Sequence, residues 1–456
     1  MIKTHPNLIE LRPYQEEDCA RIMQYKAFAC FNEQRTGKTP TALQSLIRRD
    51  VTKILVVCPK SAVYPWVQEA ERWTGLPAVA CVGTKAKRDA IISDWKNGVL
   101  VTSYGALKRT RTSEGALDLI LKNTPQGVIL DEAHRIKDRN SANAKAAFEL
   151  SKIEYKIALT GTPAPNKPDE IWSILHFLYP KQFTSYWNFV NKYLTTFKMR
   201  NSSGKQFIEI TGIKPSEVQN FVALLNKCST QRKRKDVMSW LPEKEHQRVL
   251  LPPTKEQTRY LTELRKYFET EHVVTQTVLD RLIRYRQICL DPMILNLKSK
   301  SPKTEWILDY LKDYPDKPTI IFSKFTTYID RLKEQIDKPY GVIVGATPAK
   351  QRALYIKAFQ TGIINLLIIQ IDAGKEALTL DRAEAIIFTD KFPPVGDIEQ
   401  AEDRFVATTE EKANKAHVIY ELILKGTYDE QIYELLEERA SAVDAINNFK
   451  KYMKGD

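Results

Sequence analysis

Two series of short apolar runs, each alternating with helix-like stretches, restrict this chain more than any other feature. The first series falls at 53–58, 99–102, 127–130 and 156–159. The second falls at 319–322, 342–344, 366–371, 385–388 and 417–422. Strand-length runs separated by amphipathic segments predict strands joined by helical crossovers, and such connections produce parallel sheets. Between the series, from about residue 180 to 297, the sequence is aromatic, basic and mostly helical in pattern. The expected fold class is therefore α/β: two parallel-sheet lobes, 1–180 and 298–456, with a mostly helical insert at 181–297. A chain of 456 residues also exceeds what one hydrophobic core ordinarily holds.

Inside the insert, 195–210 reads as strand, turn, strand. Phe197-Lys198-Met199-Arg200 and Gln206-Phe207-Ile208 flank the turn-rich Asn201-Ser202-Ser203-Gly204. A basic, aromatic hairpin suits contact with a nucleic acid, and equally a surface role of no consequence.

Composition narrows the class. Hydrophobic residues at 43% and charged residues at 27% exclude a disordered chain. The formal charge of +13 favours a polyanionic partner, although a solvated basic surface gives the same number. Six scattered cysteines (Cys19, Cys30, Cys58, Cys81, Cys228, Cys289) form no CxxC pair, so core thiols are expected rather than zinc or disulfides. No apolar run approaches a membrane span, and Met1-Ile2-Lys3-Thr4-His5-Pro6 lacks a secretion-signal core. A soluble cytoplasmic protein with no membrane partner is expected.

The segment Asn32-Glu33-Gln34-Arg35-Thr36-Gly37-Lys38-Thr39 lies between an apolar stretch at 27–31 and a helix-like run at 41–48. A phosphate loop belongs in that context: backbone amides and a helix N-terminus attract anionic oxygens, Lys38 reaches the terminal phosphates, and Thr39 ligates magnesium. The generic pattern places glycine where this chain has Asn32. About a hundred residues on, Val128-Ile129-Leu130 runs into Asp131-Glu132-Ala133-His134. An apolar strand ending in Asp-Glu delivers two carboxylates to the ligand-binding edge of a parallel sheet. Asp131 suits magnesium, and Glu132 suits polarising a water toward a γ-phosphate. ATP and Mg²⁺ are thus the expected cofactors.

With these residues the chain resembles the Snf2-like branch of the superfamily 2 helicases, motif by motif along nearly its whole length. Leu11-Arg12-Pro13-Tyr14-Gln15 matches the first motif, whose glutamine reads adenine in that family. Cys58-Pro59-Lys60 with Trp66 looks like motif Ia, Thr102-Ser103-Tyr104 like Ib, and Asp131–His134 is the DEAH box. Leu159-Thr160-Gly161-Thr162-Pro163 matches motif III, which links nucleotide state to DNA grip. Arg232-Lys233-Arg234-Lys235-Asp236-Val237 and Arg286-Gln287-Ile288-Cys289 resemble the family's linker segments. Ile320-Ile321-Phe322-Ser323 looks like motif IV, residues 372–380 occupy motif V, and Gln400-Ala401-Glu402-Asp403-Arg404 opens motif VI.

The resemblance implies two RecA-like lobes and ATP-driven movement on DNA. It implies that Arg35, Thr36, Gly37 and Gln400 join Gln15, Lys38 and Thr39 around ATP. Arg404 would enter the cleft from the opposite lobe to neutralise transition-state charge. The implied nucleic-acid contacts are Pro59, Lys60, Thr102, Ser103, Tyr104, Ser323, Lys324 and Thr379, with Lys198, Arg200, Arg232 and Arg234 from the insert.

Departures are visible too. The superfamily often has glycine at Arg35, and the family carries a second motif VI arginine where this chain has Ala407. The insert looks most like the annealing-helicase branch, and the compact layout is similar to phage-encoded branch-migration helicases. Branched or forked DNA is the expected partner, a monomer the expected working form, and a bacterial or phage-infected cell the expected setting.

Overall fold

In the computed structural model the described residues are 10–108, 116–165, 167–200, 204, 206–238, 244–267, 269–270, 273–275, 278–373, 380, 382–390, 417–427 and 429–431. The chain divides into two compact units that part at 239/240. The stretch read as an insert is shared between them, since the break falls inside it.

The first unit contains β1 (Ala27–Cys30), β2 (Lys53–Cys58), β3 (Ala78–Ala80), β4 (Gly98–Ser103), β5 (Gly127–Asp131) and β6 (Tyr155–Leu159). A hairpin, β7 (Leu194–Arg200) with β8 (Gln206–Ile213), and the short β9 (Ser229–Thr230) follow. One sheet has the order β3-β4-β2-β5-β6-β1-β9, with every pair parallel. Its strands read as unbroken apolar runs because both faces are covered. Leu55, Val57, Leu100, Val128 and Leu130 pack into one core, while Ile54, Val56, Val99, Val101 and Ile129 pack into another on the opposite face.

The second unit repeats the plan. It holds β10 (Lys244–Leu251), a two-residue pair β11 (Glu269–Thr270) and β12 (Val273–Val274), β13 (Thr319–Ser323), β14 (Gly341–Ile343), β15 (Leu366–Gln370), β16 (Ala385–Phe388) and β17 (His417–Leu424). The parallel order is β10-β17-β16-β13-β15-β14. Phe322, Ile369 and Phe388 face one core, and Ile321, Ile368 and Ile387 face the other. The fold is α/β with two parallel-sheet lobes, as the apolar runs predicted.

All six cysteines are buried and free. Among the described residues no helix is long and apolar enough to cross a membrane.

Candidate active site

In a parallel sheet the loops after the carboxyl ends of the strands share one edge, where ligands bind. In the first unit, β1, β2, β4, β5 and β6 are followed at that edge by Asn32–Lys38, Pro59-Lys60, Tyr104, Glu132–His134 and Thr160–Thr162 respectively.

After helix α1 (Pro13–Ile22) and β1, the loop leads into helix α2 (Lys38–Ile47) through Gly37, whose φ of 79° is left-handed. A Cβ added there would lie 1.9 Å from Gln15 Nε2, so only glycine fits. Arg35 also has a left-handed φ, 66°. That conformation explains why glycine is common here, and it costs a side-chain-bearing residue about 1–2 kcal/mol. Pro40 falls in the first turn of α2, where a missing N–H breaks no helical bond. The N–H groups of Lys38 and Thr39 have no acceptor within the helix, and with the helix dipole they make an anion site. Lys38 Nζ donates to the carbonyls of Asn32 at 2.9 Å and Glu33 at 3.0 Å.

The first motif is fastened to this loop. Tyr14 donates its hydroxyl to Thr36 O at 3.0 Å, and Gln15 Nε2 donates to the same oxygen at 3.1 Å. Gln15 Oε1 accepts from Arg12 N at 2.9 Å, so both ends of the buried amide are engaged.

The acids follow β5. Asp131 Oδ2 accepts from the indole N–H of Trp66 at 2.8 Å, and Asp131 O accepts from the Tyr104 hydroxyl at 2.8 Å. Burial, and then the adjacent Glu132 charge, push the Asp131 carboxyl up to about 7. The Trp66 hydrogen bond and the Lys38 charge pull the other way but do not win. Glu132 sits in the left-handed region with φ 49°, a costly conformation of the sort that gathers at functional sites. His134 Nδ1 lies 3.4 Å from Glu132 Oε2 and 3.0 Å from Thr160 Oγ1, and Thr162 N donates to that hydroxyl oxygen at 3.1 Å. The DEAH box is thereby joined to motif III through a single imidazole.

Among the described residues no group of three or more His, Cys, Asp or Glu side chains is arranged to hold a metal ion. Magnesium at phosphate sites needs less, taking one or two carboxylates with phosphate oxygens and water. An under-neutralised carboxyl at Asp131 and a hydroxyl at Thr39 fit that requirement.

The expected nucleic-acid residues have diverse settings. Lys60 is exposed and Pro59 half-buried after β2. Thr102 and Tyr104 are buried, with Ser103 partly exposed between them. Lys198 and Arg200 are exposed on the hairpin, beside exposed Phe197, Met199 and Ile208. Arg232 bonds Asp18 at 2.9 Å and Glu17 at 2.7 Å, and the Arg234 side chain faces Glu33. In the second unit Ser323 is buried, donating to Asp390 Oδ1 at 3.3 Å, and Lys324 pairs with Asp372. Thr379, Gln400, Arg404 and Ala407 lie outside the described residues.

Two groups escaped the sequence reading. Trp66 served only as a motif marker, yet it is the hydrogen-bond donor to Asp131. Asp18, 2% exposed, accepts from Asn32 Nδ2 at 2.7 Å and carried no local signal beyond being an acid on the apolar face of the helix Pro13–Ile22.

Known families and proteins match this chain over most of its length. The family model described as SNF2-related domain matches residues 14–294, and that of the helicase conserved C-terminal domain matches 302–406. Mouse DNA annealing helicase and endonuclease ZRANB3 is 26% identical over 92% of this chain and 39% of its own length. The putative ATP-dependent helicase/translocase YwqA of Bacillus subtilis is 25% identical over 96% of this chain and 48% of its own. The chain thus spans about two-fifths to one-half of these relatives. A Sulfolobus solfataricus SWI2/SNF2 ATPase core in complex with dsDNA aligns over 98% of this chain and 95% of that one, at 23% identity and a TM-score of 0.42.

Proposed function

Because the chain belongs to the SNF2-related family, we propose that it is an ATP-hydrolysing motor that moves on DNA and remodels branched structures by branch migration, fork regression and limited unwinding. The observation that carries this reading is the convergence at one sheet edge of the Lys38 loop, the Asp131–Glu132 pair and the His134–Thr160 link.

In the proposed cycle, Lys38 leaves the Asn32 and Glu33 carbonyls for the terminal phosphates. The N–H groups of Lys38 and Thr39 hold phosphate oxygens. Thr39 and Asp131 would hold magnesium, which supplies charge neutralisation when bound. Glu132 accepts a proton from the attacking water, and His134 passes the state of that carboxylate to Thr160 in motif III. Arg404 neutralises charge developing on the γ-phosphate, and Gln400 assists at the nucleotide. Lys60, Ser103, Lys198 and Arg200 contact phosphates of the DNA, with Thr379 a further contact. Such contacts grip without reading sequence, so affinity falls steeply with salt. The relative named as a DNA annealing helicase supports the choice of DNA over RNA.

The test compares phosphate release with a four-way junction, a fork, plain duplex DNA and RNA, using Lys38→Ala as the blank. Branched DNA is expected to stimulate most and to be remodelled only with ATP. Stimulation by RNA alone would move the protein to another substrate class. Release no higher than the Lys38→Ala blank would leave an ATP-binding clamp.

A further inference from the structure

The segment after helix Val218–Cys228 lies along the phosphate loop. Its residues Ser229 and Thr230 pair in parallel with Ala29 and Cys30. The ladder continues past the strands: Phe31 N donates to Thr230 O at 2.8 Å, and Glu33 N to Arg232 O at 2.9 Å. Arg234 N then donates to Glu33 Oε2 at 2.8 Å. The loop is therefore laced to residues 230 and 232 by main-chain bonds on alternate residues, and to Arg234 N through the Glu33 carboxylate.

A second connection runs through side chains. Asn32, in the place of the generic loop glycine, is 1% exposed and donates Nδ2 to Asp18 Oδ2 at 2.7 Å. Among the described residues Asn32 Oδ1 has no hydrogen-bond partner, and the amide is held by its bond to Asp18. The other Asp18 oxygen accepts from Arg232 Nε at 3.0 Å and from a terminal guanidinium nitrogen at 2.9 Å. Arg232, Asp18 and Asn32 thus form a chain of charge-assisted bonds ending on the residue whose carbonyl holds Lys38. A carboxylate this buried needs its cation, because truncating one partner leaves an uncompensated charge.

We propose that Arg232 and Asp18 are positioning residues for the nucleotide. Acting through Asn32, they pre-set the phosphate loop so that it does not have to be ordered when the triphosphate arrives. The inference rests on the reading of the first unit as a nucleotide site and assigns the preorganisation of that site to a side-chain relay. Preorganisation acts on binding more than on chemistry, so loss of the relay weakens nucleotide affinity first.

The experiment is an equilibrium titration of a fluorescent ATP analogue with Mg²⁺ against the full chain, Asn32→Gly, Arg232→Lys and the double variant. Each single change is expected to weaken binding about tenfold, the scale of one lost charge-assisted hydrogen bond. The double variant should fall within about twofold of the weaker single, because both cut the same relay. In turnover assays KM for ATP should rise by a larger factor than kcat falls. Singles within about twofold of the unsubstituted protein, or effects that multiply in the double variant, overturn the proposal. If Arg232→Lys does not fold by circular dichroism, Asn32→Gly alone decides, and unchanged affinity refutes the relay. Unsubstituted protein that binds the analogue but releases no phosphate defeats the motor and leaves the relay standing on its titration. Protein that binds no nucleotide defeats both.

Discussion

The carboxyl edges of the two sheets are built alike and charged differently. At the edge of the first, Asp131 has a neutral indole for its hydrogen bond and a second acid beside it, and its carboxyl is pushed up to about 7. At the edge of the second, Asp390 takes Arg286 at 2.8 Å together with Ser323 Oγ and Lys324 N. Fully buried Lys303 meets Asp429 at 2.6 Å and Thr389 O at 2.8 Å. One edge is left short of positive charge, and the other is neutralised from within. The difference separates an edge with an under-neutralised carboxyl from one whose acids are paired with buried cations.

If that contrast is right, substitutions at the two edges fail in opposite ways. Glu132→Gln should cut ATP turnover by about 10²–10⁴-fold, the usual worth of a general base, while moving the unfolding midpoint little. Lys303→Met should do the reverse. It strands a buried Asp429 and should cost the second unit roughly 3–5 kcal/mol in denaturant unfolding. Should Glu132→Gln unfold the protein, or Lys303→Met leave its stability untouched, the two edges are not specialised as described.

Acidity offers a gentler probe of the first edge. A carboxyl raised from its ordinary 3.8 to about 7 binds its proton in the folded state across that window, while the unfolded chain has already lost it. Stability then falls as pH rises from about 4 to 7, since the native state binds more protons than the unfolded one. Asp131→Asn removes the penalty, so without nucleotide or magnesium it should melt a few degrees above the unsubstituted protein at pH 8. At about pH 2.5, below both values, Asp131 is protonated in both states and the gap should close. Equal melting temperatures at both pH values would show that the carboxyl is already neutralised.

How much of this was legible depends on whether a residue's partner lies nearby in sequence. The β5 strand and its two acids stand together, as do the glycine, lysine and threonine at the start of α2, so the edge was readable from local pattern. The strand Lys244–Leu251 was missed because its first half is charged and polar, and only its eight-residue pairing with His417–Leu424 makes it a strand. Arg232 and Arg234 looked like a surface for phosphates, whereas their neighbours Asp18 and Glu33 lie about two hundred residues earlier. Periodicity cannot show such a pairing. Nor could it show that Tyr104, a candidate DNA contact, lies beneath Asp131 and donates to its main chain.

The smallest effect tests whether the second edge touches DNA at all. Ser323 ends β13, where motif IV was expected to face nucleic acid, yet it is buried with its hydroxyl turned to Asp390. At 3.3 Å that bond is long, and Asp390 keeps Arg286 and the Lys324 amide without it. Ser323→Ala should therefore lower stability by about 0.5–1.5 kcal/mol, the net worth of an ordinary hydrogen bond. It should leave the slope of DNA affinity against salt unchanged, because no phosphate contact is lost. Lys60→Ala should flatten that slope by close to one counterion. A flatter slope in Ser323→Ala with no loss of stability would mean that this serine turns outward to DNA, and that the second edge is less closed than its ion pairs suggest.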